Sequence, residues 1–254
     1  MIGGRTMSGI KIENLRPQVS QKIKPFVEEI LNTYVENIDS IHIVGSAITE
    51  NFDEKNSDIN SIFVLKRMDL EFVELIAPFG KRYKKQRIAA PLIMTPDYIR
   101  QSLDVFPIEF LNFKMIHETV YGKDILNDIA IDLTNLRQQC EREIKTKLIA
   151  LRQGYISSEG NKKIITENIV NSVMGYIPLF RSIIFLMGKE LPVKTYEVLK
   201  DLAVYTGINI DIFKKVLDLK KGVLKLTKNE LDTVFEAYYK TTEEISRRID
   251  EHQI

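Results

Sequence analysis

The chain has 254 residues, of which 44% are hydrophobic and 28% charged, and its formal net charge is +1. The length suits one large domain or two ordinary ones, and the composition is that of a soluble globular protein. Because acids and bases are interspersed, the chain has no strongly basic field, and we expect no nucleic-acid partner. The single cysteine, Cys140, excludes an internal disulfide and a cysteine-based structural zinc site. Its place in an apolar helical pattern predicts a small buried side chain.

The sequence carries no pattern of secretion or membrane insertion. The first residues lack the apolar core of a secretion signal. The longest apolar runs, such as 183–187, fall short of the ~20 residues that a membrane helix needs. We therefore expect a cytoplasmic protein without a membrane partner.

The first half of the chain alternates between helical and extended patterns. Residues before about Arg16 show no periodicity and are expected to be loosely held. Thr95 followed by Pro96 predicts a helix N-terminus, while Pro78 and Gly80 predict a helix end. The predicted helices are 19–34, 68–79 and 96–103, and the predicted strands are 41–44, 59–65, 87–94, 106–113 and 119–121.

The second half, after residue 132, shows only helical periodicity. A Thr-x-x-Glu capping box at 227–230 introduces the last predicted helix. The other predicted helices are 134–157, 165–187 with a bend at Pro178, 196–205 and 212–219. The sequence thus predicts an α+β protein, with a domain containing a small mixed sheet at 17–130 and an all-α helical bundle at 131–254.

The stretch 41–65 carries the most informative motif. Its first apolar run ends at Gly45-Ser46, and its second begins just after Asp58 with Ile59 and Asn60. Residues two apart on a strand share a face, so the Asp58 and Asn60 side chains would lie together beside the glycine-serine turn. Oxygen ligands beside a turn with exposed amides suit a divalent metal ion held against a triphosphate.

This stretch resembles the signature of the nucleotidyltransferase superfamily, the fold of DNA polymerase beta and of the aminoglycoside nucleotidyltransferases. In that signature, Gly-Ser is followed by a polar spacer and by Asp-x-Asp at the head of a strand. Gly45, Ser46 and Asp58 match it, whereas Asn60 replaces the second acid. The order of sheet domain and helical bundle extends the resemblance over most of the chain. Further tracts similar to the family are 106–110, 120–124 and 136–143.

The resemblance implies a nucleotidyltransferase-like N-terminal domain that would use an NTP and Mg²⁺ held by three acids. Asp58 would be a metal ligand, and Gly45 and Ser46 would contact the phosphates. The neutral amide of Asn60 binds Mg²⁺ weakly, and Ala90 stands at our placement of the third acid, so two of the three acids are absent. Glu109 is a candidate replacement for the catalytic base. Structural interpretations of these residues stay open. Asp58 would then be a turn aspartate, Gly45-Ser46 would be a plain turn, and Glu109 would pair with a nearby base.

These departures favour a nucleotidyltransferase-fold protein with impaired catalysis, acting as a nucleotide- or ligand-binding or regulatory module. The ligand, a nucleotide or small molecule, would lie in the interdomain cleft. The alternatives are an active transferase that moves an NMP to a small-molecule or protein hydroxyl, and a structural protein with a filled cleft. An inactive protein would need no cofactor. The resemblance also implies a homodimer or a partner protein.

Other charged or polar residues allow two interpretations. The basic cluster 81–87 fits a solvated helix end or a phosphate-facing patch. Arg181, in an apolar helix face, predicts a buried guanidinium with an acidic partner, in a salt bridge between domains or in a ligand cleft. His42, His117 and His252 lack metal-motif spacing and are predicted to be structural.

Overall fold

The computed structural model of the chain describes residues 9–50, 52–226 and 230–251, which form ten α-helices and four β-strands. These residues divide into two units. The sheet unit comprises the described residues up to Leu103 together with Asn112–Ala130, and the helical unit comprises Asp104–Leu111 and the residues from Ile131 onward. His252 and most of the predicted capping box at 227–230 lie outside the described residues.

A mixed four-stranded sheet forms the centre of the sheet unit. The strands are β1 (Ile38–Val44), β2 (Asn60–Leu65), β3 (Leu92–Met94) and β4 (His117–Gly122), in the spatial order β3-β2-β1-β4. β1 pairs antiparallel with β2 and with β4, and β2 pairs parallel with β3. Nearly every residue of β1 is buried, as expected for a strand with neighbours on both edges.

Two helices cover one face of this sheet, α1 (Pro17–Tyr34) and α2 (Leu70–Tyr83). Buried residues of α1 recur every three or four positions, which gives it one continuous apolar face. Phe26 of α1 meets Phe63 of β2 edge-on, with 5.9 Å between ring centroids. Other members of this core cluster are Ile23, Ile30, Ile41, Ile43, Phe72 and Ile76.

Two predicted boundaries are wrong, one at the end of a helix and one at the start of a strand, and both lie at a proline. α2 continues through Pro78 and Gly80 to Tyr83 because its apolar stripe of Phe72, Ile76, Phe79 and Tyr83 packs into the core. The strand predicted at 87–94 shrinks to β3, with one isolated bridge between Ile59 and Ile88 before it. Pro91 has no N–H to donate to a strand ladder, which interrupts the pairing.

The strand predicted at 106–113 is also wrong, since residues 107–113 belong to helix α4 (Pro107–Met115). Pro107 begins the helix, where its missing N–H costs nothing, and Ile108 and Leu111 are buried three residues apart. The predicted helix start at Thr95 is confirmed: its hydroxyl accepts from the Tyr98 amide at 3.1 Å and opens α3 (Pro96–Ser102).

The chain before α1 is also better held than predicted within the described residues. The Lys11 amide donates to the Val120 carbonyl of β4 at 2.7 Å, and Leu15 is buried in the core. This hydrogen bond covers part of the outer edge of β4, which is an edge strand in the sheet formed by the described residues.

The helical unit confirms the predicted all-helical second half. The 165–187 prediction divides into two helices joined by a 3₁₀ turn at Val173–Tyr176, and Pro178 stands in the first turn of the second helix, where its missing N–H costs no helical hydrogen bond. The helices are α5 (Leu133–Ser157), α6 (Lys162–Ser172), α7 (Ile177–Leu186), α8 (Thr195–Thr206), α9 (Asp211–Lys220) and α10 (Glu230–Glu251).

One helical run, Lys162–Leu186, is long and apolar enough by length and composition to cross a membrane, with a mean hydropathy of 1.6 in its most apolar window. The sequence prediction that no stretch approaches this length is therefore corrected. Of that window, 61% is buried inside the protein. Tyr176 and Phe180 pack there against Phe213, each with 4.9 Å between ring centroids. This burial is that of a core helix, so the run is weak evidence for a membrane span.

Candidate functional site

The Gly45-Ser46 turn lies directly at the end of the central strand. After Val44 the chain enters a 3₁₀ turn, Gly45–Ile48, and Gly45 has φ 76°, a left-handed conformation that glycine adopts without strain. Within the described residues, a methyl group at Gly45 would meet only Asn60 Nδ2, 3.9 Å away. The Gly45 amide donates to the Ile116 carbonyl at 3.2 Å. The turn is thus open to a ligand on its Cα side, while its first amide is held by the protein.

Asn60 stands beside this turn, as its place in the motif predicts. It is opposite Val44 in the β1–β2 register, and its side chain is exposed. Residues that pair directly across two strands project from the same face of the sheet. The structure therefore brings together Gly45 and Asn60, but the side chain offered there is a neutral amide.

Asp58 is paired with an arginine. Its carboxylate Oδ1 lies 3.2 Å from Arg87 Nη2, and the Asp58 side chain is 56% exposed. The same guanidinium donates from Nη2 to the Asn56 carbonyl at 2.6 Å and from Nε to the Ser57 carbonyl at 3.1 Å. The Ile59 amide in turn donates to the Arg87 carbonyl at 2.8 Å. Arg87 therefore holds the whole segment that leads into β2.

Sequence reasoning placed Arg87 at the end of a basic cluster and at the start of the strand predicted at 87–94, without a pairing to Asp58. Lys81 and Arg82 do lie in the last turn of α2, so the interpretation as a helix end is right for the front of the cluster. The Asp58 pairing follows from the parallel arrangement of β2 and β3, which sequence reasoning did not predict. Parallel strands begin at the same edge of a sheet, which brings the residues that precede them together.

The position assigned to the third acid is unsuited to a carboxylate ligand. Ala90 lines an apolar pocket of about 240 Å³ together with Phe79, Pro91 and Ile93. Mg²⁺ binds through several oxygen ligands, carboxylates above all. The three motif positions offer one carboxylate, which is paired with a guanidinium, one neutral amide and one methyl group. These residues do not fit the magnesium centre that the resemblance implies.

Glu109 lies on α4 and takes part in a bond between helices. It accepts a hydrogen bond from Gln139 Nε2 at 2.8 Å, and the buried Gln139 also accepts from the Ile108 amide at 2.8 Å. These bonds join α4 to α5 within the helical unit. They support the structural interpretation of Glu109; its use as a replacement base stays a prediction.

Arg181 is buried on α7, as predicted. Nε donates to the Pro192 carbonyl at 3.1 Å, and Nη2 donates to the Val193 carbonyl at 2.6 Å. Burial lowers the pKa of Arg181 to about 10. The partners of Arg181 therefore include main-chain carbonyls of the segment before α8. The acidic partner that the sequence suggests for Arg181 stays a prediction.

Two histidines and an aspartate meet on the sheet, although the spacing of the histidines in the sequence is not that of a metal motif. Among the described residues, His42, His117 and Asp124 are a group whose ligand atoms lie within 4.8 Å of one another. The rings of His42 and His117 cross at 75° with 5.7 Å between centroids. Burial, and then the charge of His117, lowers the pKa of His42 to about 4. The antiparallel pairing of β1 with β4 creates this cluster, which residue spacing alone does not reveal.

Sequence reasoning also missed a pocket of about 500 Å³ inside the helical unit. It is lined by residues of α5, α6 and α10, including Tyr155, Asn168 and Phe235. Lys147 lies in its wall with Nζ 4.9 Å from the centroid of the Tyr176 ring. Burial lowers the pKa of Lys147.

Comparison with known proteins gives a structural match only. No protein-family model and no curated protein sequence matches the chain. Among solved structures, it is similar to spectinomycin adenyltransferase AAD(9) from Enterococcus faecialis, crystallised with ATP and spectinomycin. The TM-score is 0.53 at 12% identity, over 89% of this chain and 98% of the other. The match spans both the sheet half and the helical half. The chain therefore has a nucleotidyltransferase-like fold, in which a domain with a small mixed sheet precedes a helical region.

Proposed function

We propose that this chain is a nucleotidyltransferase-fold protein with impaired catalysis, which acts as a nucleotide- or ligand-binding or regulatory module. The observation that carries the proposal is the 3.2 Å pair between Asp58 and Arg87. Nucleotidyl transfer spreads negative charge over several phosphate oxygens, and metal ions held by carboxylates neutralise it. Here the remaining carboxylate is already neutralised by a side chain that stays protonated at any physiological pH. Asn60 and Ala90 supply no further charge.

A binding role is supported by what the site keeps. The Gly45-Ser46 turn retains the left-handed glycine and an open approach beside Asn60. Backbone groups of such turns bind anionic oxygens without a metal. The similar adenyltransferase was crystallised with ATP and spectinomycin, which supports a nucleotide or a small molecule as the ligand of this chain.

Calorimetry with ATP, GTP, CTP and UTP, each with and without Mg²⁺, tests the proposal. We expect binding of at least one nucleotide with an affinity that Mg²⁺ leaves unchanged, and no release of pyrophosphate. Asp58→Asn should bind as the wild type does, and Asp97→Asn, which changes an exposed acid of the same unit, is the matched control. Binding that requires Mg²⁺ and is lost in Asp58→Asn alone would overturn the impaired-site proposal. Absence of nucleotide binding would overturn the proposed ligand.

The exposure of the ion pair favours one second candidate, an active transferase. Asp58 and Arg87 are 56% and 39% exposed, and exposed ion pairs contribute little free energy, so a metal ion can displace the guanidinium at small cost. Such an enzyme would move an NMP from an NTP to a small-molecule or protein hydroxyl. Pyrophosphate release that depends on Mg²⁺ and is lost in Asp58→Asn would select this candidate.

A further inference from the structure

Both ring nitrogens of His117 face hydrogen-bond acceptors. Nδ1 lies 2.8 Å from the Phe113 carbonyl and 3.1 Å from the Lys114 carbonyl. Carbonyl oxygens only accept, so Nδ1 carries a proton. A neutral ring then has a lone pair on Nε2, but Nε2 lies 2.9 Å from Asp124 Oδ1, a second acceptor. The contact is satisfied by a proton held between these two atoms or by a metal ion that both atoms bind.

His42 offers a third ligand from the central strand. Its Nδ1 lies 2.9 Å from Thr119 Oγ1, and its Nε2 lies 2.9 Å from Ser40 Oγ. A neutral imidazole has one N–H, so one of these nitrogens presents a lone pair and accepts from a hydroxyl. A hydroxyl rotates about its C–O bond and can turn from donor to acceptor for another group. That lone pair is therefore available to an ion after the loss of one hydroxyl hydrogen bond.

We propose that His42, His117 and Asp124 bind a divalent transition-metal ion of the zinc class. Two imidazoles and one carboxylate are a ligand set that zinc favours and that Mg²⁺, which prefers oxygen ligands, does not. The Nδ1–H of His117 is bonded to backbone carbonyls, the arrangement that orients a metal-binding histidine through its other nitrogen. Asp124 is partly exposed, which gives an ion access from solvent and leaves room for a water molecule as the fourth ligand.

This site is distinct from the one assigned to nucleotide. Val44 pairs with Asn60 on one side and with His117 on the other, so the His117 position is two strands away from the Asn60 position on the same sheet face. The three ligands come from β1, from β4 and from the segment after β4. An ion held by them stabilises the sheet unit, and its binding does not depend on the Gly45-Ser46 turn.

Zinc titration of the full chain in competition with a chromogenic chelator tests the proposal. We expect one Zn²⁺ per chain, bound with micromolar or tighter affinity, and no comparable binding of Mg²⁺. His117→Gln and Asp124→Asn should each weaken zinc binding by at least about 100-fold, because the loss of a ligand costs more than the 10–100-fold that the loss of an orienting partner costs. The matched controls are His252→Gln, the remaining histidine, and Asp128→Asn, an exposed acid on the same segment as Asp124.

A second measurement keeps the test decisive if a variant fails to fold. Cobalt bound at this site should give the visible absorption of a four-coordinate ion, and circular dichroism should show that Asp124→Asn, a change at a partly exposed residue, keeps its helical signal. Absence of zinc binding, or equal binding in Asp124→Asn and Asp128→Asn, would overturn the proposal. So would nitrogen NMR showing both ring nitrogens of His117 protonated in the presence of zinc.

Discussion

The Arg87 guanidinium lies 3.2 Å from the Asp58 carboxylate and also donates to the carbonyls of Asn56 and Ser57. One cation thus fixes the turn that leads into β2 and neutralises the acid at its end. Arginine does not lose its proton in proteins, and its planar fork suits several acceptors at once. In this fold the charge of Asp58 is therefore satisfied without an ion.

Removing this guanidinium should be necessary for a metal site to reform. We expect Asn60→Asp with Ala90→Glu to leave nucleotide affinity insensitive to Mg²⁺. Addition of Arg87→Gln to the pair should raise nucleotide affinity about tenfold when Mg²⁺ is present, because the freed carboxylates then share the ion. Calorimetry measures the change, and Lys85→Gln in place of Arg87→Gln is the control. A full response in the double variant would show that Arg87 does not block the ion.

Gly45 should be required for its backbone conformation rather than for space. Its φ is 76°, and the nearest atom to an added methyl among the described residues is 3.9 Å away. Gly45→Ala should therefore lower the free energy of unfolding by about 1–2 kcal/mol through left-handed strain alone. Gly80→Ala, inside α2 with open space around it, is the control and should raise stability by about 0.5–1 kcal/mol. Urea denaturation measures both, and equal effects would contradict the strain argument.

The elements that sequence predicts best are those whose burial pattern is continuous. The long helix α5 lies within one residue of its predicted bounds, and β1 contains the predicted strand 41–44 but begins three residues earlier, at Ile38. The errors lie where tertiary packing decides. α2 passes Pro78 because Phe79 and Tyr83 gain burial, and the apolar run at 107–115, whose pattern alone suits a strand or a helix, forms α4 with Ile108 and Leu111 buried.

The candidate site was predictable only in part for a similar reason. Motif spacing predicts Gly45 beside Asn60, since both flank the same pair of consecutive strands. It does not predict the Asp58–Arg87 pair or the His42–His117 contact. The first contact depends on β3 lying beside β2, and the second on β4 lying beside β1. This strand order is set by long-range pairing rather than by local pattern.

Glu29 should make stability depend on acid pH. Its Oε2 accepts from the Tyr83 hydroxyl at 2.8 Å and its Oε1 pairs with Arg82. The Tyr83 hydrogen bond, followed by that of Arg82, holds the pKa of Glu29 below its usual 4.5. A lowered folded-state pKa contributes stability above the unfolded-state value, and this is lost as pH falls through the folded-state value.

Tyr83→Phe should therefore reduce the loss of unfolding free energy on acidification from about pH 6 to about pH 3. The difference from wild type should be about 0.5 kcal/mol, because the Glu29 side chain is 33% exposed and water screens the interaction. Urea denaturation at both pH values measures it. Tyr98→Phe, at an exposed tyrosine, is the control. An unchanged acid dependence in Tyr83→Phe would show that the hydrogen bond does not favour the ionised carboxyl.

Arg181 should act as an anchor for the segment between α7 and α8. Its guanidinium is buried and donates to the Pro192 and Val193 carbonyls. Arg181→Met keeps an unbranched apolar stem but leaves both carbonyls without these donors. We expect a loss of about 2–3 kcal/mol in unfolding free energy, since a hydrogen bond from a charged donor contributes about 1.5–3 kcal/mol. Arg152→Met, at an exposed position of α5, should change it by less than about 0.5 kcal/mol.

Hydrogen exchange separates this anchoring role from a general loss of stability. If the guanidinium holds the segment before α8, amides there should exchange faster in Arg181→Met under conditions where the α10 amides stay protected, because local opening then costs less than global unfolding. Faster exchange spread evenly over α10 and this segment would show that Arg181 supports the helical unit as a whole. Equal unfolding free energies in Arg181→Met and Arg152→Met would show that the two carbonyls find other donors.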